Sequence, residues 1–145
     1  MSTLKVNTIQ NTSAAHSSTP EQIVKGRAKA WVNFDGVDVT TNMTGVDASF
    51  NVAAVTDNAL GEYTITFSGS TFTDTHYCFT GSVNNTKSDG TELAGDTRGP
   101  VGLFESNSGT KSTTSFKLET RYGSTASNAG GNWDFRNVYC IFFGD

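Results

Sequence analysis

Ser49-Phe50-Asn51-Val52-Ala53-Ala54-Val55, Thr56-Asp57-Asn58-Ala59-Leu60-Gly61 and Glu62-Tyr63-Thr64-Ile65-Thr66-Phe67 follow one another without interruption. The last of these three segments alternates cleanly, with Tyr63, Ile65 and Phe67 on one side and Glu62, Thr64 and Thr66 on the other. Successive side chains of a strand point to opposite faces, so a period of two marks a half-buried β-strand. The middle segment has turn formers at both ends, which makes residues 56–61 a hairpin connection from a first strand over 49–55. An antiparallel hairpin therefore stands at the centre of the chain.

The same period recurs on either side of it. In Ala28–Phe34, Ala28, Ala30, Val32 and Phe34 share one face while Lys29, Trp31 and Asn33 share the other, and Asp35-Gly36 turns the chain. Further strands are expected at His76–Val83, Val101–Glu105, Ser115–Tyr122 and Trp133–Phe143, separated by polar, glycine-rich loops over 84–99, 106–112 and 123–132. In Ser115–Tyr122, Phe116, Leu118 and Tyr122 are expected to face inward, with Lys117, Glu119 and Arg121 toward solvent. One helical signal interrupts this pattern. Thr19 can cap a first turn, Pro20 suits the first helical position, and Gln22 completes a capping box, so a short helix over about 20–25 should end at Gly26. Seven or so short strands with turn-rich connections read as an all-β fold, an antiparallel β-sandwich or jelly-roll-like domain with one short N-terminal helix and an extended N-terminal arm. The expected organisation is an arm over residues 1–18, helix and linker over 19–26, and the sandwich over 27–145.

Composition agrees. Thr, Gly, Ser and Asn supply 64 of the 145 residues, which favours strands and tight turns over helices. Ten Phe in a chain that is 11% aromatic are enough to build a core, which argues against a disordered chain. No run approaches the roughly 20 apolar residues of a membrane-spanning helix, and the first residues, Met1-Ser2-Thr3-Leu4-Lys5, lack the apolar core of a secretion signal. The net charge is -4, and Lys25-Gly26-Arg27-Ala28-Lys29 is the densest basic cluster. That cluster reads as a solvated helix end rather than a phosphate-binding face, so no nucleic-acid partner is expected. Cys78 and Cys140 each follow a tyrosine inside an apolar run. They are expected to be reduced and buried, and a bridge between them requires neighbouring strands of suitable geometry.

The inventory for catalysis is thin. His16 lies in a Ser/Thr-rich segment, and His76 shares a strand face with Cys78 but has no further His or Cys to complete a four-ligand metal site. Nucleophile elbows, Walker loops and G-x-G-x-x-G sequences are all missing. Asp35, Asp38, Asp47, Asp57, Asp89 and Asp96 sit beside turn-forming residues, and a calcium-binding spacing is not present. The expectation is a protein that is not an enzyme, with no cofactor and no catalytic or metal site. Trp31, Trp133, Phe72, Phe104 and Tyr122 lie next to Asn, Asp, Thr or Gly. Such aromatics serve either an interface and core or a sugar-binding surface, and the first reading is preferred.

The last strand differs from the rest. Asn137-Val138-Tyr139-Cys140-Ile141-Phe142-Phe143 is apolar on both faces, so both need cover. Its position near the end of the chain favours cover by another subunit.

Two stretches resemble structural proteins of marine tailed bacteriophages (cyanophage- and pelagiphage-like). They are Ser2–Ser13 with Thr19–Ile23, and Gly26–Gly36 with Ser49–Phe67. In that group such segments look like parts of tail fibres or small fibre-like virion proteins. The resemblance implies a virion component and a homotrimer, assembled in the host cytoplasm. The reading that follows is a trimeric fibre or knob with possible host-surface adhesion to a glycan or protein. The alternatives are a capsid decoration (cement) protein without host binding and a lectin-like module. On this reading Leu4, Val6 and Ile9 attach the arm to other virion proteins, and Tyr139, Ile141 and Phe143 form the oligomer contact. The loop carrying Asn84, Asn85, Asp89, Glu92 and Asp96 meets the host surface, and no membrane insertion is expected.

Overall fold

The computed structural model describes residues 5–10, 17–69, 71–84, 98–107, 109, 111–124 and 130–145. In chain order these contain β1 (Ile9–Gln10), β2 (Ser17–Ser18), α1 (Pro20–Gly26), β3 (Ala30–Phe34), β4 (Val46–Phe50) and β5 (Val52–Ala59). There follow β6 (Glu62–Phe67), β7 (Cys78–Val83), β8 (Arg98–Glu105), β9 (Ser115–Ser124), β10 (Gly130–Asn132) and β11 (Val138–Phe143). One sheet has the order β4-β3-β11-β7, and a second has β10-β9-β6-β5 with β8 also paired to β9. Every pairing is antiparallel. The two sheets pack face to face as an all-β sandwich.

Alternation places the core. Ala30, Val32 and Phe34 of β3 and Val138, Cys140 and Phe142 of β11 meet Tyr63, Ile65 and Phe67 of β6 and Phe116 and Leu118 of β9, all buried. Phe67, Phe72, Tyr77, Phe116 and Phe142 pack edge to face or stacked, with Phe72 and Tyr77 4.2 Å apart between ring centroids. Burying each such side chain contributes roughly 1.5–3 kcal/mol. The helix forms as expected: Gln22 N–H donates to Thr19 Oγ1 at 3.2 Å, and Thr19 N–H donates to Gln22 Oε1 at 2.9 Å.

The structure departs from the sequence reading in several places. Residues 49–55 are not one strand. β4 belongs to the four-stranded sheet and β5 to the five-stranded one, and the chain changes sheet at Asn51, whose φ is 54°. Asn51 holds the corner by donating from Nδ2 to the Lys29 carbonyl at 2.7 Å and accepting at its own carbonyl from Ser68 N–H at 3.0 Å. The hairpin connection is tighter than residues 56–61, since β5 runs to Ala59 and only Leu60-Gly61 turn. Gly61 has φ 65°, and a Cβ there would lie 2.5 Å from Trp133 N and 2.6 Å from Thr120 O. Trp133–Phe143 also splits. Residues 133–137 cross from β10 in one sheet to β11 in the other, and Phe135 plugs the space between them.

Glu119 is buried at 4% exposure instead of facing water. It accepts from Ser106 Oγ at 2.6 Å and pairs with Arg121, so the β8–β9 end supplies both its cover and its partners. The arm is not a single extended segment, because Ile9 pairs with Ser18 and Gln10 with Ser17. Cys140 is buried as expected but Cys78 is exposed, and both are free. Their strands are neighbours, yet Cys78 pairs with Phe143 and Cys140 with Gly81, so the register keeps them apart.

Candidate assembly face

β11 lies between β3 and β7, and its alternation divides it sharply. Val138, Cys140 and Phe142 point into the core, which leaves Tyr139, Ile141 and Phe143 for the outer face. Register extends that face across the sheet. One row runs Phe50, Trp31, Ile141, Thr80, the next Ala48, Asn33, Tyr139, Ser82, and Phe143 stands beside Cys78. None of these ten positions carries a formal charge at neutral pH. Phe50 is 49% exposed, Tyr139 40%, Ile141 38% and Trp31 37%. Four large apolar side chains side by side on one sheet form a patch of the kind that marks an interaction site.

A groove of about 280 Å³ runs through the patch, walled by Trp31, Tyr139, Ile141 and Ala48 with Asn33 inside it. The Asn33 Oδ1 is closed off from water and has no donor among the described residues. A buried acceptor without a partner costs about 1–3 kcal/mol.

Of the residues expected at the oligomer contact, Tyr139, Ile141 and Phe143 do share this outer face. Alternation groups Trp31 with Lys29 and Asn33 but does not make it a neighbour of Ile141, and the apolar pattern that runs on through Asn51 hides Phe50. Val6 and Ile9 of the arm are exposed, and Leu4 lies outside the described residues. Asn84 follows β7 and its N–H donates to the Asn137 carbonyl at 3.0 Å. Asn85, Asp89, Glu92 and Asp96 lie outside the described residues, as does His16.

The titratable groups are scattered. His76 precedes β7, with Nδ1 3.0 Å from Asp74 Oδ2. Hydrogen bonds from His76 hold the Asp74 carboxyl below the usual carboxylate range. Among the described residues no group of three or more His, Cys, Asp or Glu could hold a metal ion. Burial pushes the Cys140 thiol far up. Under the turn at Gly61, Asp134 Oδ1 accepts from Gly61 N–H at 2.6 Å and from the Tyr63 hydroxyl at 2.8 Å. Burial first, then the bond to Asp134, pushes the Tyr63 pKa far up. This arrangement braces the end of the sandwich. No helix among the described residues is long and apolar enough to cross a membrane. The chain matches no protein-family model, no curated protein and no solved structure.

Proposed function

We propose that this protein is a structural subunit of a virus particle: a trimeric fibre or knob that acts by assembly and surface contact, without catalysis. The observation that carries the assembly is the uncharged outer face around Ile141, where Trp31, Phe50 and Tyr139 remain substantially exposed on a single chain. Copies of the chain packed around an axis cover that face, and obligate contacts of this type bury about 2,000 Å² or more. The virion setting comes from the resemblance of residues 2–67 to phage structural proteins. The arm, with Val6 and Ile9 exposed, supplies the second apolar contact, to a neighbouring copy or another virion protein.

Sedimentation of the purified protein tests the assembly. A species of three chains is expected, and one that stays at 15.4 kDa across the concentration range removes the reading. Labelling the protein and locating it on particles tests the setting. Binding of the labelled protein to host cells separates a fibre from a capsid decoration protein.

A further inference from the structure

The outer surface of the other sheet has a different character. Across β8, β9 and β10 the register sets Gly102, Arg121 and Asn132 in one row, with Phe104 beside Glu119 in the next and Gly123 beside Gly130 beyond. At Gly123 and Gly130 the surface drops, whereas the Phe104 ring lies over Gly102. The result is a groove of about 530 Å³ lined by Phe104, Arg121, Tyr122, Asn132, Gly123 and Gly130, within the roughly 300–1,000 Å³ of small-molecule sites.

Its polar groups are held in place from below. Buried Glu119 pairs with the Arg121 guanidinium and accepts from Ser106 Oγ, which fixes the guanidinium while leaving further N–H groups to donate. Asn132 Nδ2 donates to Glu62 Oε1 at 3.1 Å, so its carbonyl oxygen is left to accept. Phe104 is 48% exposed, with the Arg121 guanidinium carbon 5.9 Å from its ring centroid. A half-exposed aromatic ring beside fixed donors and acceptors matches a ring that is apolar on one side and carries hydroxyls around its edge. The charge balance narrows the choice, because Glu62 and Glu119 outnumber Arg121 and disfavour a carboxylate-bearing ligand.

We infer that the Phe104–Arg121–Asn132 groove binds a neutral pyranose sugar, stacked on Phe104 and hydrogen-bonded by Arg121 and Asn132. This names the ligand class for the surface-contact half of the function proposed above and rests on that reading for its setting. The sugar is recognised by a single chain.

The test is an NMR titration of isotope-labelled protein with glucose, galactose and mannose, with glucuronate as the acidic comparison. Saturable shifts at Gly102, Arg121, Gly123, Gly130 and the Asn132 side chain are expected, at roughly 10 mM or below for a single ring. Glucuronate should bind more weakly than glucose. Phe104→Ala should weaken binding about tenfold, with a melting temperature close to wild type because the ring is half exposed. Gly102→Ala is the second variant, since a Cβ there would lie 2.8 Å from the Phe104 ring and displace it; it should weaken binding as well. No saturable shift with any of the three neutral sugars overturns the inference. So do shifts confined to the other sheet, binding that both variants leave unchanged, or a preference for glucuronate. Sedimentation of the same samples keeps the two readings apart: a sugar-binding monomer removes the assembly and keeps the groove, and an oligomer without shifts does the reverse.

Discussion

Tyr63 and Asp57 sit on either side of one local problem, the negative charge of Asp134 near the Gly61 turn. The Tyr63 hydroxyl donates to Asp134 Oδ1, with the Gly36 carbonyl also in reach at 2.9 Å. Tyr63→Phe leaves the ring packed on Phe34 but removes that donor, and a loss of about 1.5–3 kcal/mol is expected in urea unfolding. Asp57 has its pKa raised by burial and then by repulsion from Asp134, partly offset by a hydrogen bond from the Ala59 backbone. The folded state therefore takes up that proton at a higher pH than the unfolded chain. Its ionisation costs stability at neutral pH, and the cost disappears as the pH falls through the folded pKa toward the ordinary carboxylate value of about 4. Asp57→Asn should accordingly stabilise the protein at pH 7 and make little difference near pH 4, which melting curves across that range will measure. Period two placed Tyr63 in the core from sequence alone. The partnership with Asp134 was not legible, because it joins residues 71 positions apart through a chain crossing that no local pattern announces.

Elements divide by how much of their environment is local. Alternation is a property of each strand by itself, so it assigns the inward face of β6 and groups Ala30, Val32 and Phe34 on one face of β3, while β11, apolar on both faces, is left undivided by it. The corner at Asn51 was missed because a single positive φ re-aims the chain while the apolar pattern runs on through Phe50 and Val52. Asn51→Ala removes the side-chain bond to the Lys29 carbonyl and puts a less tolerant residue at φ 54°. A loss of roughly 1–3 kcal/mol is expected, with Asn51→Gly milder at the backbone; denaturant titration of both variants separates the two contributions. β11 offers a sharper contrast between neighbours. Phe142→Ala empties core volume and should cost about 3–5 kcal/mol of folding stability. Ile141→Asp places its charge on the outer face, so it should leave a folded monomer by circular dichroism while abolishing association in sedimentation. Equal damage to folding from both substitutions would place Ile141 in the core instead.

At the scale of the whole molecule, the sandwich presents two unlike outer surfaces, one uncharged around Ile141 and one grooved and polar around Arg121. If the first is covered by sister copies, folding and association are linked, and the melting temperature should rise with protein concentration. A melting temperature constant over a hundredfold dilution counts against assembly through that face. Local sequence is enough for the all-β class, the capped helix, the inward side of β6 and the excess of apolar residues on β11. These depend on propensity and on a two-residue period, both properties of contiguous chain. Folding in three dimensions sets which sheet each strand joins, that Glu119 is covered, that Trp31 and Phe50 stand beside Ile141, and that glycines of β9 and β10 open a groove next to Phe104. Each of these is a matter of register between segments distant in sequence, and register is set by what the folded core can bury together, not by any one stretch of residues.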